Sequence, residues 1–314
     1  MKLPKIDKTI LVHLALFAVA LIYGANYTIA KEVMPLYISP SATILMRVLG
    51  ASVLFWILVG GKRLVLSNNK EKITLLLSAI FGVVVNQLLF FEGLARTTPI
   101  NAALIMTTTP LLVLVVSAIT GGEKFTFLKV LGVALGLLGA GMLISSKTVI
   151  DNSGISSFSF AFDFNLGDLF ILFNATSYAI YLVIAKPLLK KYSALSISKW
   201  MFTLALPFVL PFGFSDLGTT NFAEMPVGIY AGLGYIVLFT TFFAYLLNAW
   251  ALRSVSSSVV GIYIYLQPVL ATFIAVALDK DSLTATKLIW AACIFLGVFL
   301  VSRKQTSRKQ TSRK

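Results

Sequence analysis

Histidine and cysteine each occur once in the 314 residues, and aspartate and glutamate together only twelve times. The lone cysteine, Cys293, excludes a disulfide within the chain and, inside an apolar run, reads as a packing residue. The lone histidine, His13, has no Cys, Asp or Glu at metal-ligand spacing, so no metal site is expected and His13 reads as structural. No glycine-rich phosphate loop occurs, so ATP hydrolysis is not supplied from within this chain, and no cofactor is expected. Scattered acids with one His and one Cys form no clustered nucleophile and base, which argues against an enzyme. Charge is scarce as a whole: 12% of residues are charged, against about 25% in a soluble domain.

What is abundant is apolar. Hydrophobic residues make up 58% of the chain and the mean hydropathy is +0.91. They come in blocks of roughly twenty, the length a helix needs to cross about 30 Å of hydrocarbon. Ten blocks are read, at 9–30, 39–60, 73–94, 98–120, 126–146, 166–186, 194–214, 226–251, 255–278 and 284–302. The expected fold is all-α, a polytopic membrane protein. Lys2, Lys5 and Lys8 precede the first block, but its length and the nine that follow make it a retained span rather than a cleaved signal.

The net charge of +14 follows the spans. Twenty lysines and arginines fall on the side of the N-terminus, five (Lys31, Arg96, Lys147, Lys280 and Lys287) fall on the other, and Arg47 lies within a span. This asymmetry places both termini in the cytoplasm, with the lipid bilayer and not nucleic acid as the charged partner. The SRKQT repeat of 303–314 is a low-complexity basic tail suited to anionic headgroups. The 147–165 linker, expected to be extracytoplasmic, divides the spans into five (1–146) and five (166–302).

The halves repeat one another. At an offset of 155, Tyr23 meets Tyr178, Lys31 meets Lys186, Ser41 meets Ser196 and Met46 meets Met201. At an offset of 158, Pro110 meets Pro268, Glu123 meets Asp281, Lys129 meets Lys287 and Gly139 meets Gly297. Five is odd, so the second copy enters the membrane from the opposite face. Inverted repeats are a device of secondary transporters, with the substrate site near the midplane between the copies.

Tyr23-Gly24-Ala25-Asn26 followed by Lys31, Arg47 in the second span, Pro110 in the fourth, Gly122-Glu123 before the fifth and a second five-helix copy resemble the EamA-type permeases of the drug/metabolite transporter superfamily. The resemblance covers about residues 9–302. The family often has tryptophan at the position of Tyr23, and Lys280-Asp281 stands where Gly-Glu is expected in the second copy. The resemblance implies ten helices around a central cavity in the cell (inner) membrane and export of amino acids or related metabolites. A nucleotide-sugar or multidrug carrier of the same fold is the alternative.

Pro110 and Pro268 each free a backbone carbonyl four residues back, at Met106 and Ile264, which neighbouring Thr107, Thr108, Thr109 and Gln267 are placed to satisfy beside a cavity. Both prolines are read as hinges. A charge at Arg47 costs several kcal/mol unless paired, so it is expected to hold a carboxylate, either Glu92 or the substrate's own. Glu92 has a second partner in reach, Arg96 one turn on. Asn26, Asn86, Gln87, Asn174, Tyr178, Tyr181, Tyr263, Tyr265 and Gln267 complete the expected cavity lining for a small-molecule substrate, while Tyr23, Tyr27 and Tyr245 are read as belt residues at the membrane interface. No string of intramembrane Asp, Glu or His suggests a proton relay, Glu92 being the one acid in reach of a span interior. The seams Gly132/Gly136/Ala140 and Gly228/Gly232 are expected to pack helices within the bundle, with a monomer or weak homodimer as the assembly.

Overall fold

The structure, a computed structural model, describes residues 8–61, 63–120, 126–150, 156–160, 165–252 and 263–302. The first two spans are α1 (Lys8–Val33) and α2 (Pro40–Val59). The third is α3 (Asn69–Ala79) running through a π-helical stretch, Ile80–Val84, into α4 (Val85–Arg96). The fourth is broken into α5 (Pro99–Met106) and α6 (Thr109–Ile119), and α7 (Phe127–Ser145) follows. After the linker come α8 (Leu166–Lys191) and α9 (Ala194–Thr219), then α10 (Val227–Tyr235), which passes through a second π-helical stretch, Ile236–Phe243, into α11 (Ala244–Leu252). The last helices are α12 (Leu266–Ala277) and α13 (Ala285–Ser302).

Side chains set the helix starts. Ser39 and Thr98 each accept a backbone N–H three residues on and are each followed by proline at the first helical position. Asn68 caps α3 by accepting the Glu71 N–H, and Asn165 caps α8 by accepting the Gly167 N–H two residues on. Gly60, at φ +62°, ends α2 in a conformation that a side chain would disfavour.

Among the described residues, seven helical runs are long and apolar enough to cross a membrane, and three shorter apolar helices, Phe127–Leu143, Leu266–Ala277 and Ala285–Leu300, fall on the other three predicted blocks. This is an integral membrane protein. The linker differs from the all-α expectation: Ser146–Ile150 (β1) and Ser156–Phe160 (β2) pair antiparallel, Ser146 opposite Phe160. Alternation of Ser and Phe in β2 suits a strand rather than a helix. The basic tail, Gly122-Glu123 and residues 255–262 of the ninth block lie outside the described residues.

Small residues bring the spans together. A Cβ on Gly297 of α13 would stand 2.5 Å from the Gly132 carbonyl oxygen of α7, and one on Gly167 of α8 would stand 2.7 Å from that of Gly93 in α4. The α7 seam packs inside the bundle as expected, since Gly136 faces Leu111 and Ala140 is fully buried. In the other seam only Gly232 makes a close approach, to Val33, while Gly228 has nothing within 4 Å. The buried Phe55 ring of α2 packs on Phe202 of α9 and on Phe242 of the second π-helical stretch, with ring centroids 5.5 and 5.1 Å away.

Candidate functional site

A cavity of about 900 Å³, open mouth included, lies where α1, α2, α4, α8, α11, the break between α5 and α6 and the start of α12 meet. Eight of the expected residues line it: Asn26, Arg47, Asn86, Gln87, Asn174, Tyr178, Tyr263 and Gln267. Tyr181 and Tyr265 do not. Tyr263 and Tyr265, two positions apart and so about 200° apart around a helix, face opposite ways, and the Tyr265 ring packs against Phe295 instead. Tyr181 is buried behind the lining against Tyr178 and Gly82.

The belt assignment of Tyr23, Tyr27 and Tyr245 is corrected, because all three line the cavity. Asn248 lines it too and was missed by sequence reasoning. The repeat carried the missing signal. Six pairs of lining residues stand at its own offsets: Val19/Asn174 and Tyr23/Tyr178 at 155, and Gln87/Tyr245, Phe90/Asn248, Met106/Ile264 and Thr109/Gln267 at 158.

Arg47 is 5% exposed and does not pair with Glu92. Its Nε donates to Thr241 Oγ1 at 2.7 Å and its guanidinium lies 4.5 Å from the centre of the Phe91 ring. Glu92, one residue on and about 100° further around α4, points away and pairs with Arg96 in the next turn. The second π-helical stretch places Thr241 for this task, since its hydroxyl donates to Ile236 O, five residues back, at 2.9 Å while its oxygen accepts from Arg47. The first is served from across the cavity wall: Ser177 Oγ donates to Phe81 O at 2.7 Å and Tyr245 OH to Gly82 O at 3.2 Å. Wide turns of this kind gather at functional sites.

Asn174 Nδ2 donates to Asn86 O at 2.5 Å, which fixes the amide and leaves Asn174 Oδ1 buried without a partner; Asn26 Oδ1 is in the same condition. Both atoms belong to residues that line the cavity and are no more than 3% exposed. Buried polar atoms are costly unless something hydrogen-bonds them, so these acceptors are suited to a ligand or water. Among the described residues no Asp or Glu lines the space, and no group of His, Cys, Asp and Glu could hold a metal.

The fourth span breaks where expected. Thr107, Thr108 and Thr109 turn their hydroxyls back onto the carbonyls of Leu104, Ile105 and Met106 at 2.6, 2.8 and 2.7 Å. In the ninth apolar block, Tyr265 interrupts the helix just ahead of Pro268. His13 is bonded to the Tyr263 hydroxyl at 2.9 Å. The reading of Glu92 as the one acid in reach of a span interior is also corrected. Asp168, 1% exposed at the start of α8, accepts from Thr97 and Asn101 at the linker end of the bundle. It was overlooked because it sits two residues from a block boundary. Beside it Asp281, the departure from Gly-Glu, accepts the Ile100 N–H at 3.0 Å and pairs with Lys287 at 2.8 Å.

The profile of the EamA-like transporter family matches residues 10–145 and again 165–303. An uncharacterized transporter of Bacillus subtilis (strain 168), YyaM, is 24% identical over 295 residues, covering 93% of each chain. An uncharacterized transporter of Archaeoglobus fulgidus is 27% identical over 297 residues, covering 93% of this chain and 98% of its own. A solved crystal structure shares the fold, with a TM-score of 0.57 at 17% identity over 92% of this chain and 95% of that one. With its two profile matches together spanning nearly the whole sequence, the chain belongs to the EamA-like transporter family.

Proposed function

We propose that this transporter is a secondary carrier that exports amino acids or related small metabolites by alternating access across the cell (inner) membrane. The observation that carries this reading is the cavity lined in matched pairs by the two halves. Ten spans in two inverted repeats, 1–146 and 166–302, account for the pairing. In support, α1 packs on α12 as α8 packs on α5 and α6, while the self-matched contacts α2 with α9 and α7 with α13 close the bundle. Arg47 takes the substrate carboxylate, the amides and tyrosines around it take the remaining polar groups, and Pro110 and Pro268 are the hinges. The carrier works as a monomer or weak homodimer.

Replacing either proline by alanine is expected to leave expression and thermal stability unchanged or improved, because a backbone donor is restored. Transport should nevertheless fall about tenfold as a hinge stiffens. Inversion adds a sharper expectation: in reconstituted flux and cysteine labelling at each cavity mouth, Pro110→Ala and Pro268→Ala should favour opposite access states. Two variants biased to one side would reduce both prolines to packing kinks.

The charge asymmetry sets the orientation, with the 147–165 linker outside and both termini in the cytoplasm. In a Cys293→Ala background, cysteine introduced at Ser156 should react with an impermeant maleimide on intact cells, and cysteine introduced at Ser67 should not. The reverse pattern would invert the topology.

A further inference from the structure

Resting on that carrier reading and narrowing its substrates to the related metabolites in place of zwitterionic amino acids, we propose that the exported species is a monoanion, one carboxylate on an uncharged remainder, and that the inside-negative membrane potential alone drives its exit. The argument begins with the charges around the cavity. Arg47 contributes one positive charge to a buried space, and among the described residues the acids Glu92, Asp168 and Asp281 are engaged elsewhere: Glu92 by Arg96, Asp168 by Thr97 and Asn101, Asp281 by Lys287. Among the described residues no carboxylate stands within ion-pair distance of Arg47, whose Nε alone is used by Thr241.

A buried charge without a counter-charge is unfavourable, and the ligand that relieves it best brings one negative charge of its own. A cation would add to the imbalance. A dianion would leave a second carboxylate without a cation. A zwitterion would satisfy Arg47 but face its ammonium with neutral oxygens and aromatic rings and no carboxylate among the described lining residues, after losing its water. The unpartnered acceptors Asn26 Oδ1 and Asn174 Oδ1 instead match a hydroxyl or amide N–H, and the Tyr23, Tyr178 and Phe90 rings match an apolar side chain. Acids bearing a hydroxyl or an acylated amine in place of the free ammonium meet all three conditions.

The energetics follow from the same charge. Each monoanion leaving the cell carries negative charge down the potential, supporting a tenfold gradient for about 60 mV. The loaded cavity is neutral and the empty one positive, so the potential acts on the return of the empty carrier toward the cytoplasm, the step that carries the cycle's one net charge. A neutral zwitterion would gain nothing from the potential and would need a coupling cation, for which the described lining offers no carboxylate.

The purified full-length protein tests this with ligands matched in shape. Thermal unfolding is followed with 3-phenyllactate, phenylalanine, phenethylamine and benzylsuccinate, and with 2-hydroxy-4-methylpentanoate against leucine. At least one hydroxy acid should stabilise the protein at concentrations about tenfold lower than its amino acid, with the amine and the dianion inert. Amino acids that match or exceed the hydroxy acids, or hydroxy acids that do not stabilise at all, overturn the proposal. In proteoliposomes carrying a valinomycin-set potassium potential, accumulation of the stabilising hydroxy acid should change about tenfold per 60 mV. Flux indifferent to potential overturns the uniport. Binding in the predicted order without flux of any compound would leave the charge rule standing and sink the carrier reading. Arg47→Gln should abolish the preference for the hydroxy acid, and Arg47→Lys should retain it at weaker affinity.

Discussion

Transport by Arg47→Ala is expected to fall to background, at least about 100-fold, a loss of roughly 2.7 kcal/mol in the barrier-lowering contribution of one residue. The protein should still reach the membrane in normal amount. Removing a buried guanidinium that has no acidic partner among the described residues relieves a desolvation cost, and the group left behind, the Thr241 hydroxyl, keeps its own bond to Ile236 O. Glu92→Gln supplies the contrast. Glu92 and Arg96 form a partly exposed pair one helical turn apart, which contributes little to stability, so this variant should transport normally and should not rescue Arg47→Ala. Transport and protein level both unchanged in Arg47→Ala would remove Arg47 from the mechanism. Rescue by Glu92→Gln would reinstate the ion pair that the geometry rejects.

Gly297→Ala should be the most destabilising single methyl group in the bundle. Its Cβ would meet Gly132 O at 2.5 Å, Gly136 N at 2.6 Å and Gly136 Cα at 2.8 Å, all backbone atoms of α7. Backbone cannot rotate aside as a side chain can, so α13 must move outward along the contact. A cost of about 3 kcal/mol is expected, at the upper end of overpacking effects. Gly141→Ala is the control, because a Cβ there meets nothing within 4 Å. Thermal unfolding in detergent should show a clear drop for the first variant and no drop for the second. Equal midpoints would mean that α7 and α13 are packed more loosely than the structure has them.

Much of this was legible in the chain because bilayer physics writes long, simple signals. Apolar runs of twenty residues marked the spans, and a proline behind three threonines marked a break. Direction around a helix was not so plain. Tyr263 and Tyr265 look alike in sequence, yet one lines the cavity and the other packs on Phe295. Tyr23, Tyr27 and Tyr245 were misassigned by residue type, although the repeat offset pairs Tyr23 with Tyr178 and Tyr245 with Gln87. The π-helical stretches have no composition of their own and could not be read at all. With them went the partner of Arg47, since Thr241 reaches it from such a stretch.

The three threonines of the fourth span bear on hydration. Leu104, Ile105 and Met106 each have a carbonyl met by a hydroxyl from the chain itself. The break therefore carries its own solvation with it and does not depend on a bound water to hold its shape. In the alternating-access cycle proposed above, closure of the mouth on a substrate can empty the cavity of water without stripping the backbone at Met106 of its hydrogen bond. Drying is then a cost borne by the substrate and the side chains that receive it, not by the fold, and the same helix can be wet in one half of the cycle and dry in the other.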